Sequence, residues 1–426
     1  MSNIQLAVHL FFQIAIILLT CQVVGALGRR MGQPQVVAEM LAGVILGPSL
    51  LGLFFPGIFA RIFPADTMRV MFPIAQLGLA TYMFVVGLEF RVDIVRRQMR
   101  SAVAVSIAGM ATPFVLGAAL AWVLFRHTSL FPARTTLSEG MMFLGASMCI
   151  TAFPMLARII HFKKLTGTTM GTVSLGAGAI NDVAAWCLLA VVLARLDGNF
   201  MNAAINIGGG VAYIALVVLL IRPVLMKWAR GIELRGHLSD GEFVICLSLL
   251  AIGAWFTDVI GLHAVFGAFV MGVAIPRGVI ADALIERVQP LTVALLLPLF
   301  FTYSGLNTQI GLLNSAYLWL MAGLVLLVAI GGKGVACWLA ARATGISNRE
   351  ALGIGTLMNA RGLMELIIIN IGLERGIISP ALFAILVVMA VITTLMTSPL
   401  FDLLVGRHPV VASAPGAKLN TSDETN

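Results

Sequence analysis

Apolar stretches follow one another along almost the whole chain, separated by short polar connections. A helix needs about 20 mostly apolar residues to cross a bilayer, and we count thirteen stretches near that length. Of the 426 residues, 60% are hydrophobic and 11% are charged, whereas a soluble domain is about half apolar and a quarter charged. The sequence therefore predicts an all-α membrane protein.

The thirteen predicted spans leave little sequence for anything else. They cover residues 4–27, 35–54, 71–90, 101–125, 138–158, 168–194, 202–221, 241–258, 263–276, 288–305, 315–341, 351–373 and 379–405. The longest polar segments, 222–240 and 406–426, are shorter than the roughly 50 residues that an independent domain needs. We expect one transmembrane domain over 1–405 and a short cytoplasmic tail over 406–426.

The basic residues predict the orientation of this domain, because loops rich in Lys and Arg stay in the cytoplasm. Odd-numbered connections and the tail hold 19 of the 27 basic residues, with Arg158 at the last position of the fifth span counted among them. Even-numbered connections hold 6, and only Lys333 and Arg361 lie in the interior of spans. This asymmetry predicts an outside N-terminus and a cytoplasmic C-terminus. We expect the membrane to be the plasma membrane, here a bacterial inner membrane. The net charge of +8 is scattered over short loops, so no nucleic-acid partner is indicated.

Cysteine and histidine give no sign of a cofactor. The five cysteines fall in apolar spans without C-x-x-C spacing, and the six histidines form no ligand cluster. We therefore predict neither a disulfide framework nor a resident metal or other cofactor.

Ionisable groups inside hydrocarbon are costly, so each one within a span is a functional candidate. The candidates are Glu39, Asp182, Lys333, Arg361 and Glu365. Asp182 stands in GAGAINDVAAW, where small neighbours leave room for an ion. Burial disfavours an unpaired carboxylate anion, so a proton and a monovalent metal ion would compete for its oxygens. The alternative is an Asp that is salt-bridged for packing alone.

Two spans carry signs of interrupted helices. Pro154 lies inside 138–158, where it removes a backbone hydrogen bond and frees the carbonyl of Ile150 beside the Thr151 hydroxyl. Freed carbonyls and half-helix ends suit a small cation. A simple kink at Pro154 is the alternative reading.

The second interruption is expected in 351–373, where Asn359, Arg361 and Gly362 form an expensive cluster in mid-span. Arg361 and Glu365 are four residues apart on one helix face and could equally form a closed structural ion pair. The fifth and twelfth spans differ by seven, which predicts two inverted six-helix halves around a linker helix, a 6+1+6 repeat.

Several stretches resemble the monovalent cation/proton antiporters, in the branch with plant cation/H+ exchangers and bacterial potassium-efflux relatives. They are QPQVVAEMLAGVILGPSLLG (33–52), LGLATYMFVVGLEF (77–90), ITAFPMLARI (150–159), AINDVAAWCLLA (179–190), LHAVFGAFVMGVAIPR (262–277), LPLFFTYSGLNT (297–308) and LGIGTLMNARGLMELIIINIG (352–372). The resemblance implies a sodium/proton-antiporter-like fold with two crossed discontinuous helices. It also implies a core domain that moves against a dimerisation domain, and hence a homodimer.

Carried over residue by residue, the resemblance implies that Asp182 carries proton and cation in turn, with Asn181 as its polar neighbour and Thr151 beside the cation site. Lys333 matches the family's basic residue before the second interrupted helix. In relatives with two adjacent acids this basic residue pairs with the first acid, which here is the neutral Asn181. Its partner stays open among Glu39, Glu365 and none, the last for a deprotonated lysine.

These features predict a secondary active transporter, not an enzyme: a K+/H+ or Na+/H+ antiporter that works by alternating access. With one carboxylate at the site, exchange of one proton for one cation would move no net charge. A gated potassium-efflux channel is the competing prediction. An intramembrane enzyme is disfavoured, because neither paired catalytic acids nor a Ser-His arrangement is evident.

Overall fold

The computed structural model describes residues 2–30, 33–90, 98–127, 130–197, 200–306, 313 and 315–406, and these residues form helices without a strand. The all-α prediction is confirmed. The helices are α1 Asn3–Arg30, α2 Gln35–Leu46, α3 Leu51–Phe54, α4 Pro56–Ile62, α5 Ala65–Glu89, α6 Met99–His127, α7 Leu137–Cys149, α8 Phe153–Phe162, α9 Thr169–Asp197, α10 Phe200–Leu216, α11 Arg222–Arg235, α12 Asp240–Val259, α13 Ala264–Ala274, α14 Val279–Leu291, α15 Leu297–Leu306, α16 Ala316–Ala343, α17 Asn348–Leu357, α18 Leu363–Glu374 and α19 Pro380–Val405.

Ten helical segments of the described chain are long and apolar enough to cross a bilayer, which confirms a multi-pass membrane protein. They are Asn3–Arg30, Gln35–Phe54, Ala65–Glu89, Met99–Arg126, Leu137–Phe162, Ala204–Arg235, Asp240–Val259, Val279–Tyr303, Ala316–Ala343 and Pro380–Val405. The predicted spans 168–194, 263–276 and 351–373 coincide with α9, with the short α13 and with α17 plus α18. The total of thirteen spans and the inverted repeat stay predictions, and residues 407–426 of the expected tail lie outside the described residues.

The helix bounds correct one prediction. The segment 222–240 was expected to be a polar connection, but the helix of the seventh predicted span continues through a π-helical turn, Val217–Ile221, into α11 and ends at Arg235. A wider turn accommodates Pro223, which has no amide proton to donate. Gly236 then ends the helix with a left-handed φ of 73°. The onset of polar sequence at Arg222 therefore does not mark the end of this helix.

The helices pack in two groups. The first group contains α1, α2, α5 and α12 to α15, and the second contains α6 to α9 and α16 to α19. Within the first group, a Cβ on Gly43 would lie 2.5 Å from the Thr302 carbonyl oxygen, so α2 and α15 touch backbone to backbone. The two groups meet along α2 with α8 and along α15 with α18, while α10 and α11 connect them in sequence.

Candidate ion-binding site

The fifth predicted span is interrupted, not kinked. After α7 ends at Cys149, the backbone is extended at Ile150 and Ala152, and α8 begins at Phe153. Pro154 lies in the first turn of α8, where its missing amide proton costs nothing. The break therefore precedes Pro154, which starts the second half-helix.

The twelfth predicted span is interrupted in the same way between α17 and α18. Gly362 precedes α18 in an extended conformation, with φ of −179°. A Cβ on Gly362 would lie 3.0 Å from the Cβ of Ala152, so the two breaks are in direct contact. The amide nitrogen of Ala152 donates to the carbonyl oxygen of Ala360 at 3.2 Å, and the Thr151 hydroxyl donates to the Met358 carbonyl at 3.5 Å.

Two buried basic side chains cap the C-terminal end of α7. Lys333 Nζ donates to the Cys149 carbonyl at 2.5 Å, and the Arg361 guanidinium donates to the carbonyls of Met148 at 2.7 Å and Ser147 at 3.3 Å. Both side chains are fully buried. The last carbonyls of a helix lack partners in the helix and carry partial negative charge, so cationic donors satisfy both needs.

The carboxylates that could have paired with Lys333 are engaged elsewhere. Glu365 Oε1 accepts from Arg361 Nη1 at 3.1 Å, the ion pair that the spacing of four allowed, and Glu39 lies 3.5 Å from Arg158 Nη2. Among the described residues, no carboxylate oxygen lies within 4.0 Å of the Lys333 ammonium, which instead takes a backbone carbonyl.

Asp182 lies in the middle of α9 and is 5% exposed. Within the described chain, its buried Oδ1 accepts no hydrogen bond and no cationic side chain lies within 4.0 Å of it. Among the described residues, Asp182 therefore has no salt bridge of the kind that a purely structural role would require. The residue has an oxygen that an incoming proton or cation could engage.

Asn181 connects α9 to the first break. Its amide nitrogen donates to Thr151 Oγ1 at 3.3 Å, and its Oδ1 accepts from the Ser106 hydroxyl at 2.5 Å. Asp182 is therefore the next residue in sequence after Asn181, which contacts the first break. Ser106 of α6 was not predicted, because a single serine in an apolar span gives no signal of its own.

An apolar cavity of about 290 Å³ lies between the two helix groups near this point of α9. Ala179, Ile180 and Val183 of α9 line one side, whereas the neighbouring Asp182 is not a lining residue. The opposite wall comes from the α10 region and α13, and Phe90, Met99 and Arg222 mark the end that is predicted to face the cytoplasm. The cavity provides space between the groups beside the candidate site.

The family model described as "Sodium/hydrogen exchanger, transmembrane" matches residues 15–403. The Na(+)/H(+) antiporter NhaS4 of Synechocystis is 38% identical over 91% of this chain and 95% of its own length. Cation/H(+) antiporter 20 of Arabidopsis thaliana is 37% identical and K(+)/H(+) antiporter 1 of Saccharomyces cerevisiae 34%, each over 92% of this chain. The chain spans about half the length of these two relatives, 48% and 46%.

A solved structure, that of the sodium proton antiporter MjNhaP1 from Methanocaldococcus jannaschii at pH 8, has the same fold with a TM-score of 0.62. The match covers 94% of this chain and 98% of that one at 16% identity. The resemblance drawn from the sequence motifs is therefore confirmed at the level of family and fold.

Proposed function

Because the chain belongs to the sodium/hydrogen exchanger family, we propose that it exchanges K+ or Na+ for H+ across the plasma membrane. The relatives named above include both Na(+)/H(+) and K(+)/H(+) antiporters, so family membership leaves the cation open. The observation that carries the proposal is the buried Asp182 carboxylate, whose Oδ1 accepts no hydrogen bond from the described residues. A carboxylate in such surroundings binds a proton or a cation, one at a time.

Alternating access would arise from movement between the two helix groups. The second group holds Asp182, both interruptions and the two cations that cap α7, so the whole site could move as one unit. Asp182 does not line the cavity beside α9, so movement between the groups would have to connect the two and so open a path to the predicted cytoplasmic side. We further propose that the protein works as a homodimer, as the resemblance implies.

The direct test is purified protein in proteoliposomes with a trapped pH-sensitive dye. Sodium, potassium, lithium and rubidium are added outside in turn while the internal pH is followed. We expect a cation gradient to drive protons the opposite way, and the ions that do so identify the cargo. Single-channel currents without proton coupling would instead support the gated channel.

Competition for Asp182 predicts how pH affects the apparent affinity for the cation. A proton on the carboxylate excludes the metal ion, so we expect the apparent KM for the cation to rise as the pH falls, with little change in the maximal rate. Initial exchange rates at several cation concentrations and pH values would measure this. A KM that is constant while only the maximal rate changes would contradict competition at a single site.

The neutral Asn181 beside a single carboxylate predicts electroneutral exchange of one cation for one proton. A net movement of one charge would couple to the membrane potential at about 2.3 kcal/mol per 100 mV. We therefore expect initial exchange rates to be the same whether or not a membrane potential is imposed with a gradient of the permeant anion thiocyanate, at a constant cation gradient. A rate that follows the imposed potential would refute electroneutrality without refuting antiport.

A further inference from the structure

Polar side-chain contacts join the two helix groups near the end that is predicted to face the cytoplasm. Glu39 of α2, in the first group, lies 3.5 Å from Arg158 of α8, in the second. Gln33, just before α2, donates to the Leu395 carbonyl oxygen of α19 at 2.8 Å. Of the ion pairs in the described part of the chain, Glu39–Arg158 is the one that bridges the two groups.

The surroundings of this pair make its separation costly. Glu39 is 1% exposed, and its Oε2 has no hydrogen-bond partner among the described residues. The Arg158 side chain is 15% exposed, and its guanidinium lies 5.8 Å from the ring centroid of Tyr82, which also belongs to the first group. Removing the partner of a buried charge is strongly destabilising, because the remaining charge is uncompensated.

Space for a rearrangement exists next to the pair. A cavity of about 60 Å³ is lined by Tyr82, Glu89, Arg158 and His161. Arg158 is part of α8, the half-helix that starts directly after the break containing Thr151. A movement of the ion site relative to the first group would therefore carry Arg158 away from Glu39.

We propose that Glu39 and Arg158 form a latch between the helix groups that must separate and re-form in each transport cycle. The inference rests on the proposed antiport by alternating access. The pair stabilises the form seen here, in which α2 and α8 are in contact near the end that is predicted to face the cytoplasm. Glu39 and Arg158 are thus positioning residues, which act on the ion site through the placement of α8.

The test joins the two positions covalently. The double variant Glu39→Cys/Arg158→Cys is reconstituted and treated with a short, membrane-permeant bis-methanethiosulfonate. This reagent bridges the two cysteines through disulfides, which dithiothreitol reduces. We expect exchange below the wild-type rate before treatment, because the latch is missing, then loss of exchange in the bridged protein and recovery of the untreated rate after reduction. Lys163→Cys/Asp402→Cys is the matched control, because these residues form a 2.6 Å ion pair within the second group and a bridge there should leave exchange intact.

The outcomes separate the two hypotheses. Exchange at the untreated rate in bridged Glu39→Cys/Arg158→Cys protein would overturn the latch while leaving antiport standing. Unmodified protein that exchanges no cation for protons would overturn the proposed function itself. Should the first pair of substitutions prevent folding, Gln33→Cys/Leu395→Cys joins the start of α2 to α19 and so holds the two groups together near the same end. Continued exchange in that bridged protein would also overturn the latch, because the groups would then not separate there.

Discussion

Asp182→Asn is expected to abolish cation-driven proton movement in proteoliposomes while leaving the protein folded. The amide has nearly the shape of the carboxylic acid, but it can neither take up a proton near neutral pH nor supply a negative charge to a cation. Since no described side chain forms a hydrogen bond or an ion pair with Asp182 Oδ1, the substitution removes little that holds α9 in place. The measurement is the initial rate of internal pH change after a cation jump, beside a thermal unfolding curve.

Asp282→Asn is the matched control for this loss. Asp282 is an exposed residue in the first turn of α14. Its substitution removes one carboxylate from the chain, as Asp182→Asn does, but leaves α9 unchanged. We expect wild-type exchange in this variant. Residual exchange in Asp182→Asn above the protein-free liposome rate would show that another group carries the proton, and it would remove the central assignment.

The sequence is enough to locate the candidate site along the chain, because the energetic cost of a charged group in an apolar span can be recognised from its neighbours in sequence alone. A carboxylate in an apolar span and the cluster at Asn359 and Arg361 are anomalies that any reader of the sequence can find. Charged groups are energetically costly in hydrocarbon, so they imply an interrupted helix or a paired charge whatever the arrangement of the other helices. The structure indeed places both breaks in contact, through the hydrogen bond between Ala152 and Ala360.

The partners of these groups could not be predicted, because they depend on tertiary packing. Lys333 donates to the Cys149 backbone carbonyl, 184 residues earlier in the sequence. Every residue has such a carbonyl, so the sequence contains no signal for this contact. Ser106 was overlooked for the same reason. Arg158 stands at the last position of the fifth predicted span, where the sequence gives no sign of Glu39, but α8 extends to Phe162 and places Arg158 beside the buried Glu39.

Arg361→Met is expected to lower the stability of the protein more than any substitution discussed above. Arg361 is fully buried and donates to Ser147, Met148 and Glu365, so an apolar side chain of similar length leaves two helix-end carbonyls and a carboxylate without their donor. Breaking a buried ion pair by removing one partner costs about 3–5 kcal/mol. Thermal unfolding in detergent, followed by tryptophan fluorescence, should show a markedly lower midpoint or no folded protein.

The double variant Arg361→Met/Glu365→Gln separates the two parts of this loss. It removes the unpaired negative charge but still leaves the Ser147 and Met148 carbonyls without their cationic donor, so we expect it to be more stable than Arg361→Met and less stable than wild type. Lys333 still caps Cys149 in both variants, which keeps one donor at the end of α7. An unfolding midpoint of Arg361→Met equal to that of wild type would contradict the cap. In that case the interruption after Cys149 would be stabilised by the packing of the two breaks, and the freed carbonyls would be open to the transported ion.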